Sequence, residues 1–205
     1  MILYELYGTE DEPVYRELAR ENLQRQYDFL GSIIKAAISQ KQRMISTALI
    51  QALNYHAIAC LHIKAGEYRP CDVEVKASNL KPPQHYRVPA MMDHFVNEVN
   101  SAWRGNNGWE VAAYCLWRLN FIHPFINGNG RTARALCYYV ACINVGQVLP
   151  GRKSFPERIR TDRHDEYVAL LRSTDEQYKA GSASFLTGLR DFLVRLAREQ
   201  ISGRS

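Results

Sequence analysis

Residues 109–145 read WEVAAYCLWRLNFIHPFINGNGRTARALCYYVACINV, and this stretch decides the fold. Trp109 to Phe121 is apolar nearly all round, the pattern of a helix buried on every side. Thr132 to Val145 repeats the pattern. Between them stands a short polar interruption carrying one His, two Asn-Gly pairs and Arg131, too rich in hydrogen-bonding groups to be plain core. Gly128-Asn129-Gly130 opens the second helix, so its backbone N–H groups are the unpaired donors of a helix N-terminus, an anion-binding geometry. Arg131 and Arg134 lie three apart on one face of the same end, where cations oppose the helix dipole unless an anion joins them. Their forked guanidinium donors suit phosphate oxygens. His123, held by Pro124, stands just before this nest as a candidate general base. Singly, these pieces read as a turn, a packed histidine and a solvated face, and Phe125 as a core anchor. Together in one span they point to an anion site beside a base.

Outward from this centre most of the chain keeps helical period. Pro13 is placed as a first-turn residue of a helix reaching about Phe29, with Val14, Leu18, Leu23, Tyr27 and Leu30 on its apolar side. A second helical stretch runs from about Ile33 to Ile63, broken near Gln40–Arg43 and ended at Ala65-Gly66. Helices are expected from Pro89 to Trp103, and over roughly 155–173 and 183–201. Residues 67–90 differ: alternation over Val73 and Val75 followed by turn and proline signals makes them the one β-hairpin candidate. The expectation is a mainly α chain with one small β-hairpin flap.

The chain has 205 residues, 26 Lys+Arg and 21 Asp+Glu, and 46% hydrophobic residues. That is globular composition at a length suited to one domain. The charge is uneven: residues 1–30 hold 3 basic and 7 acidic residues, residues 123–205 hold 13 and 8. The five cysteines (60, 71, 115, 137, 142) contain no CxxC and read as reduced, cytoplasmic small hydrophobes. His56, Cys60 and His62 lack a second ligand pair and are not read as a metal site. The first residues lack a basic, then apolar, leader, and the longest uncharged run is too short and broken to span a bilayer, so no membrane partner is expected.

The string HPFINGNGRTAR resembles the signature of the Fic family, His-Pro-Phe-x-(Asp/Glu)-Gly-Asn-Gly-Arg-x-x-Arg. AGEYRPCDVEV (65–75) is similar to the stretch leading into the family's flap, and RHDEYVALL (163–171) to a segment on a later helix. The likeness covers about residues 45–195. It implies a Fic domain over 45–201 behind an N-terminal helical segment, 1–44, and a transferase that moves AMP from ATP to a Ser, Thr or Tyr hydroxyl of a target protein. The resemblance makes His123 the base and Arg134 the group that stabilises departing pyrophosphate. Phe125, Gly128, Asn129, Gly130, Arg131, Arg134 and Tyr167 would bind the nucleotide. Val73, Glu74 and Val75 would dock the target by strand addition.

Two departures qualify the implied activity. Asn127 stands where the family has Asp or Glu, the Mg²⁺ (or Mn²⁺) ligand; an amide brings no charge, so weakened metal-dependent transfer is expected, or a binding and regulatory module without catalysis. No strict inhibitory-helix motif is present. The nearest match, Glu17 to Asn22, makes Glu21 a candidate to reach Arg134; a separate antitoxin-like inhibitor is the alternative partner. Gly130, where the kinase-like Doc branch has Lys, favours nucleotidyl transfer. A basic nucleic-acid binder is disfavoured for want of a binding motif. A homo-oligomer is compatible with the sequence.

Overall fold

The computed structural model describes residues 1–75, 81–105 and 108–203. Its helices are α1 (Leu3–Tyr7), α2 (Pro13–Ser39), α3 (Thr47–Ile58), α4 (Val88–Ala102), α5 (Gly108–Ile122), α6 (Asn129–Val145), α7 (Phe155–Thr161), α8 (His164–Lys179) and α9 (Thr187–Ser202), with a 3-10 turn at His85–Arg87. The two apolar segments around the polar interruption, α5 and α6, form the most extensive pairing and the centre of the molecule. Ala112, Cys115, Leu116 and Leu119 of α5 and Leu136, Cys137, Val140 and Ala141 of α6 are fully buried. Around this pair α2, α3 and α7 lie on α6, and α4 and α9 on α5.

Among the described residues no strand is present. The expected hairpin over 67–90 lies partly on residues 76–80, outside the described set; its flanks, 71–75 and 81–84, are irregular. Pro82 and Pro83 explain the second flank, because two successive residues without N–H cannot supply a ladder. The N-terminal helix runs past Phe29 to Ser39, since Gln26, Leu30, Ile34 and Ala37 continue its buried face at spacings of four, four and three. The stretch expected to reach Ile63 ends at Ile58, with Ala59 as its cap and Cys60 at φ 62. The expected helix over 155–173 is two, broken where Asp162 turns its carboxylate to Lys153 and Thr161. The short α1 was not expected; it docks through backbone bonds from Leu3 and Tyr4 to the carbonyls of Cys60 and Leu61. No helix among the described residues is long and apolar enough to cross a membrane. The cysteines are all free, with Cys115, Cys137 and Cys142 buried but Cys60 and Cys71 exposed.

Candidate functional site

The chain reverses at His123. Its N–H donates to the carbonyl of Leu119 at 3.0 Å and its φ is 52, a left-handed helix cap at a position usually given to glycine. A side chain there costs about 1–2 kcal/mol, so neighbours must hold it. Arg69 does so. Its Nε donates to the carbonyl of His123 at 2.8 Å and its backbone N–H to that of Pro124 at 2.8 Å. The same guanidinium, 2% exposed as a residue, also reaches the carbonyls of Cys71 and Pro83 and the carboxylate of Asp72. Sequence reasoning assigned Arg69 no role; its one signal was a lone Arg closing the Gly66-to-Arg69 stretch. Arg69→Met leaves several carbonyls without a donor. Urea denaturation is expected to show a loss of roughly 2–4 kcal/mol.

After Pro124 the loop is braced by Asn129. Its side chain accepts from Phe125 N–H at 2.9 Å and donates to Phe125 carbonyl at 2.8 Å. Asn129 can therefore offer a ligand only its backbone N–H, and Phe125, fully buried, anchors the loop from beneath. Asn54, also fully buried and overlooked in the sequence, donates to the Asn127 carbonyl at 2.9 Å and accepts from Gly66 N–H at 3.0 Å. Gly128 caps α6 at φ 77. The first intrahelical bond runs from Thr132 N–H to the Gly128 carbonyl, so the N–H groups of Asn129, Gly130 and Arg131 precede the ladder and face outward as a donor cluster.

A cleft of about 560 Å³ gathers His123, Gly130, Arg134, Tyr167 and Val75, with Asn120 donating to the Tyr167 hydroxyl at 2.9 Å. Five of the residues singled out in the sequence thus meet at one place. The imidazole of His123 is pushed down to about 4, chiefly by burial, and Arg69 adds to the effect against the carbonyl of Asn120. It is neutral near pH 7. With Nδ1 3.3 Å from the Asn120 carbonyl, the tautomer protonated at Nδ1 leaves the Nε2 lone pair for a proton acceptor role. Burial raises the phenol of Tyr167 to about 12, keeping it neutral. Because the folded pKa of His123 lies below the unfolded value, the unfolded chain binds more protons between them. His123 therefore contributes stability above about pH 6.5 that is lost as pH falls toward 4. An NMR titration of the His123 ring is expected to show no midpoint near 6.5; one there contradicts this environment.

The two arginines diverge. Arg134 faces the cleft and Tyr167. Arg131 turns the other way, donating to the Ala57 carbonyl and to Asn127 Oδ1, each at 2.8 Å. Asn127 is committed on its second side too, with Nδ2 3.0 Å from Glu10 Oε1 and 2.9 Å from His62 Nε2, which also meets the Tyr15 hydroxyl at 2.8 Å. This donor set does not fit a protein-held Mg²⁺. The amide oxygen already takes a guanidinium, whose charge repels a cation. Among the described residues no group of three His, Cys, Asp or Glu could hold a metal ion. Asn127, the metal position expected from the sequence, thus has both its amide oxygen and its amide nitrogen engaged within the protein.

Glu21 is not brought to Arg134. It is exposed on α2 and pairs with Arg25 at 2.8 Å, one turn along the same helix. The part of α2 that lines the space beside Arg134 carries Arg20, Gln24 and Tyr27, with no carboxylate. Glu21→Gly is thus expected to leave nucleotide binding unchanged in a calorimetric titration and to cost only about 1 kcal/mol of helix stability. Val73 and Glu74 lie on the irregular flank and do not line the cleft.

A family model described as the Fic/DOC family matches residues 44–141. A protein from Nematostella vectensis named protein adenylyltransferase Fic is 30% identical over 146 residues, covering 67% of this chain and 30% of that protein. A Fido domain-containing protein of Dictyostelium discoideum is 38% identical over 73 residues, 36% of this chain and 46% of its own length. The chain thus spans less than half the length of these two relatives. Among solved structures, a Fic domain-containing signaling protein from Bacteroides thetaiotaomicron superposes with a TM-score of 0.68 at 22% identity, over 99% of this chain and 80% of the other. Fic-1 from C. elegans gives 0.65 at 21%, over 98% and 54%. At these identities the two structures establish the helical fold.

Proposed function

The chain is a Fic family protein, and from that premise we propose that it transfers AMP from ATP to a hydroxyl of a protein. One observation carries the proposal: a neutral, half-buried His123 shares a cleft with Gly130 at the start of α6, Arg134 and Tyr167. In this reading the adenosine lies toward Tyr167 and the phosphates toward the N–H groups of Asn129, Gly130 and Arg131. His123 Nε2 takes the proton of a Ser, Thr or Tyr hydroxyl. The freed oxygen forms a bond to the α-phosphorus as the bond to the β-phosphate oxygen breaks, and pyrophosphate leaves with its charge toward Arg134. Arg131 acts at one remove, fixing the loop through Asn127 and adding positive potential. Val75, at the cleft wall, and its neighbours Val73 and Glu74 receive the target backbone. No step is routed through a metal held by the chain.

A second reading, a nucleotide-binding module without catalysis, is favoured by one feature, the engagement of Asn127 by Arg131, Glu10 and His62. Mass spectrometry of a host lysate incubated with the purified chain and ATP separates the two. AMP on Ser, Thr or Tyr of a lysate protein or of the chain itself supports transfer. ATP bound by the chain with no modified protein supports the module.

A further inference from the structure

A second cavity, of about 370 Å³ and so in the lower range for a small-molecule site, shares Arg134 with the cleft. Five arginines line it: Arg131 and Arg134 from α6, Arg20 from α2, Arg152 from the loop after α6 and Arg160 from α7. Glu157 is the only carboxylate among the lining residues. Four of the thirteen basic residues of the last third of the chain, Arg131, Arg134, Arg152 and Arg160, meet here.

The arginines divide into two kinds. Arg131 donates to Ala57 and Asn127, and Arg134 lies beside Tyr167, whose phenol its charge affects. These two supply positive potential at the floor. Arg20, Arg152 and Arg160 form no ion pair or hydrogen bond among the described residues, so their forked donors remain for a ligand. Local acids do not answer them: Asp162 is held by Lys153 at 2.7 Å, and Glu166 by Arg195. Guanidiniums gathered around one cavity repel one another. A multiply charged anion relieves that repulsion.

We propose that this cavity is a second anion site, taking a small, multiply phosphorylated molecule on Arg20, Arg152 and Arg160. Several guanidinium forks around one small volume match a ligand with several phosphate groups better than a single carboxylate. The site shares Arg134 with the proposed transfer cleft but does not depend on the transfer reaction. An inert protein can carry it.

The test uses inorganic tripolyphosphate as the probe, titrated calorimetrically into the full chain and into Arg152→Glu/Arg160→Glu, with ATP titrated in parallel. Both positions are exposed, and an unchanged thermal midpoint confirms that the variant folds. The expected result is saturable tripolyphosphate binding, weakened about tenfold or more in the variant, with ATP affinity changed less than about twofold. Arg152→Lys/Arg160→Lys should recover part of the loss, through charge without the fork. Tripolyphosphate affinity unaltered by charge reversal overturns the proposal. So does an equal loss for both ligands, which would merge the cavity with the nucleotide cleft, and so does weak, non-saturable binding, the behaviour of solvated surface arginines.

Discussion

His123→Ala is expected to lower AMP transfer by roughly 10²–10⁴-fold while leaving ATP affinity within about twofold. The split follows from where the imidazole sits. Burial holds it neutral, pushed down to about 4, so near pH 7 it is already the proton acceptor and carries no charge that would attract phosphate. Binding is left to the α6 N–H groups and Arg134, none of which the substitution removes. The variant also relieves little strain, since alanine meets the same left-handed φ of 52 as histidine. Time courses of label incorporation, paired with calorimetric ATP titrations of both proteins, measure the two quantities separately. Loss of ATP binding together with transfer would recast His123 as a binding residue.

Gly128→Ala is expected to produce the largest stability change in the loop, about 2–4 kcal/mol, read as a thermal midpoint lower by roughly 5–15 °C. Two costs combine. The backbone stands at φ 77, where an L side chain is strained, and a Cβ there would lie 2.7 Å from Ile58 Cγ2 and 3.0 Å from Asn54 Nδ2. Ile58 is fixed in the core and Asn54 is committed to the Asn127 carbonyl, so neither can yield without loosening α3 from α6. Gly146→Ala is the control, also at positive φ (83) but with open space around the added carbon. It should show the backbone cost alone. Equal losses at the two positions would mean that the close approach of α3 to the loop contributes nothing.

How much of this could be read beforehand depended on whether the deciding physics was local. The paired apolar runs at 109–121 and 132–145 announced α5 and α6, because burial on all sides leaves a continuous composition signal. Pro13 marked the start of α2, and the HPFINGNGR string placed base, glycines and arginines beside one another. What sequence could not give was direction. Arg131 and Arg134 share a helix face by spacing, yet Ala57 and Asn127 hold the first guanidinium out of the cleft that the second lines. Asn129 looked like a ligand contact and is a loop brace. Glu21 is one residue from the buried Asn22, and a helix turns about 100° per residue, which takes its carboxylate to solvent and Arg25. Arg69, Asn54, His62 and Glu10 act through partners 54 to 117 residues away, separations that no local pattern records.

The central claim is that the group transferred is AMP and that His123 starts the transfer. Parallel incubations with ATP labelled on the α- or the γ-phosphorus test it most directly. The account predicts protein-bound label from the α-position only, lost in His123→Ala. Label from the γ-position, or α-label undiminished in the variant, would contradict it.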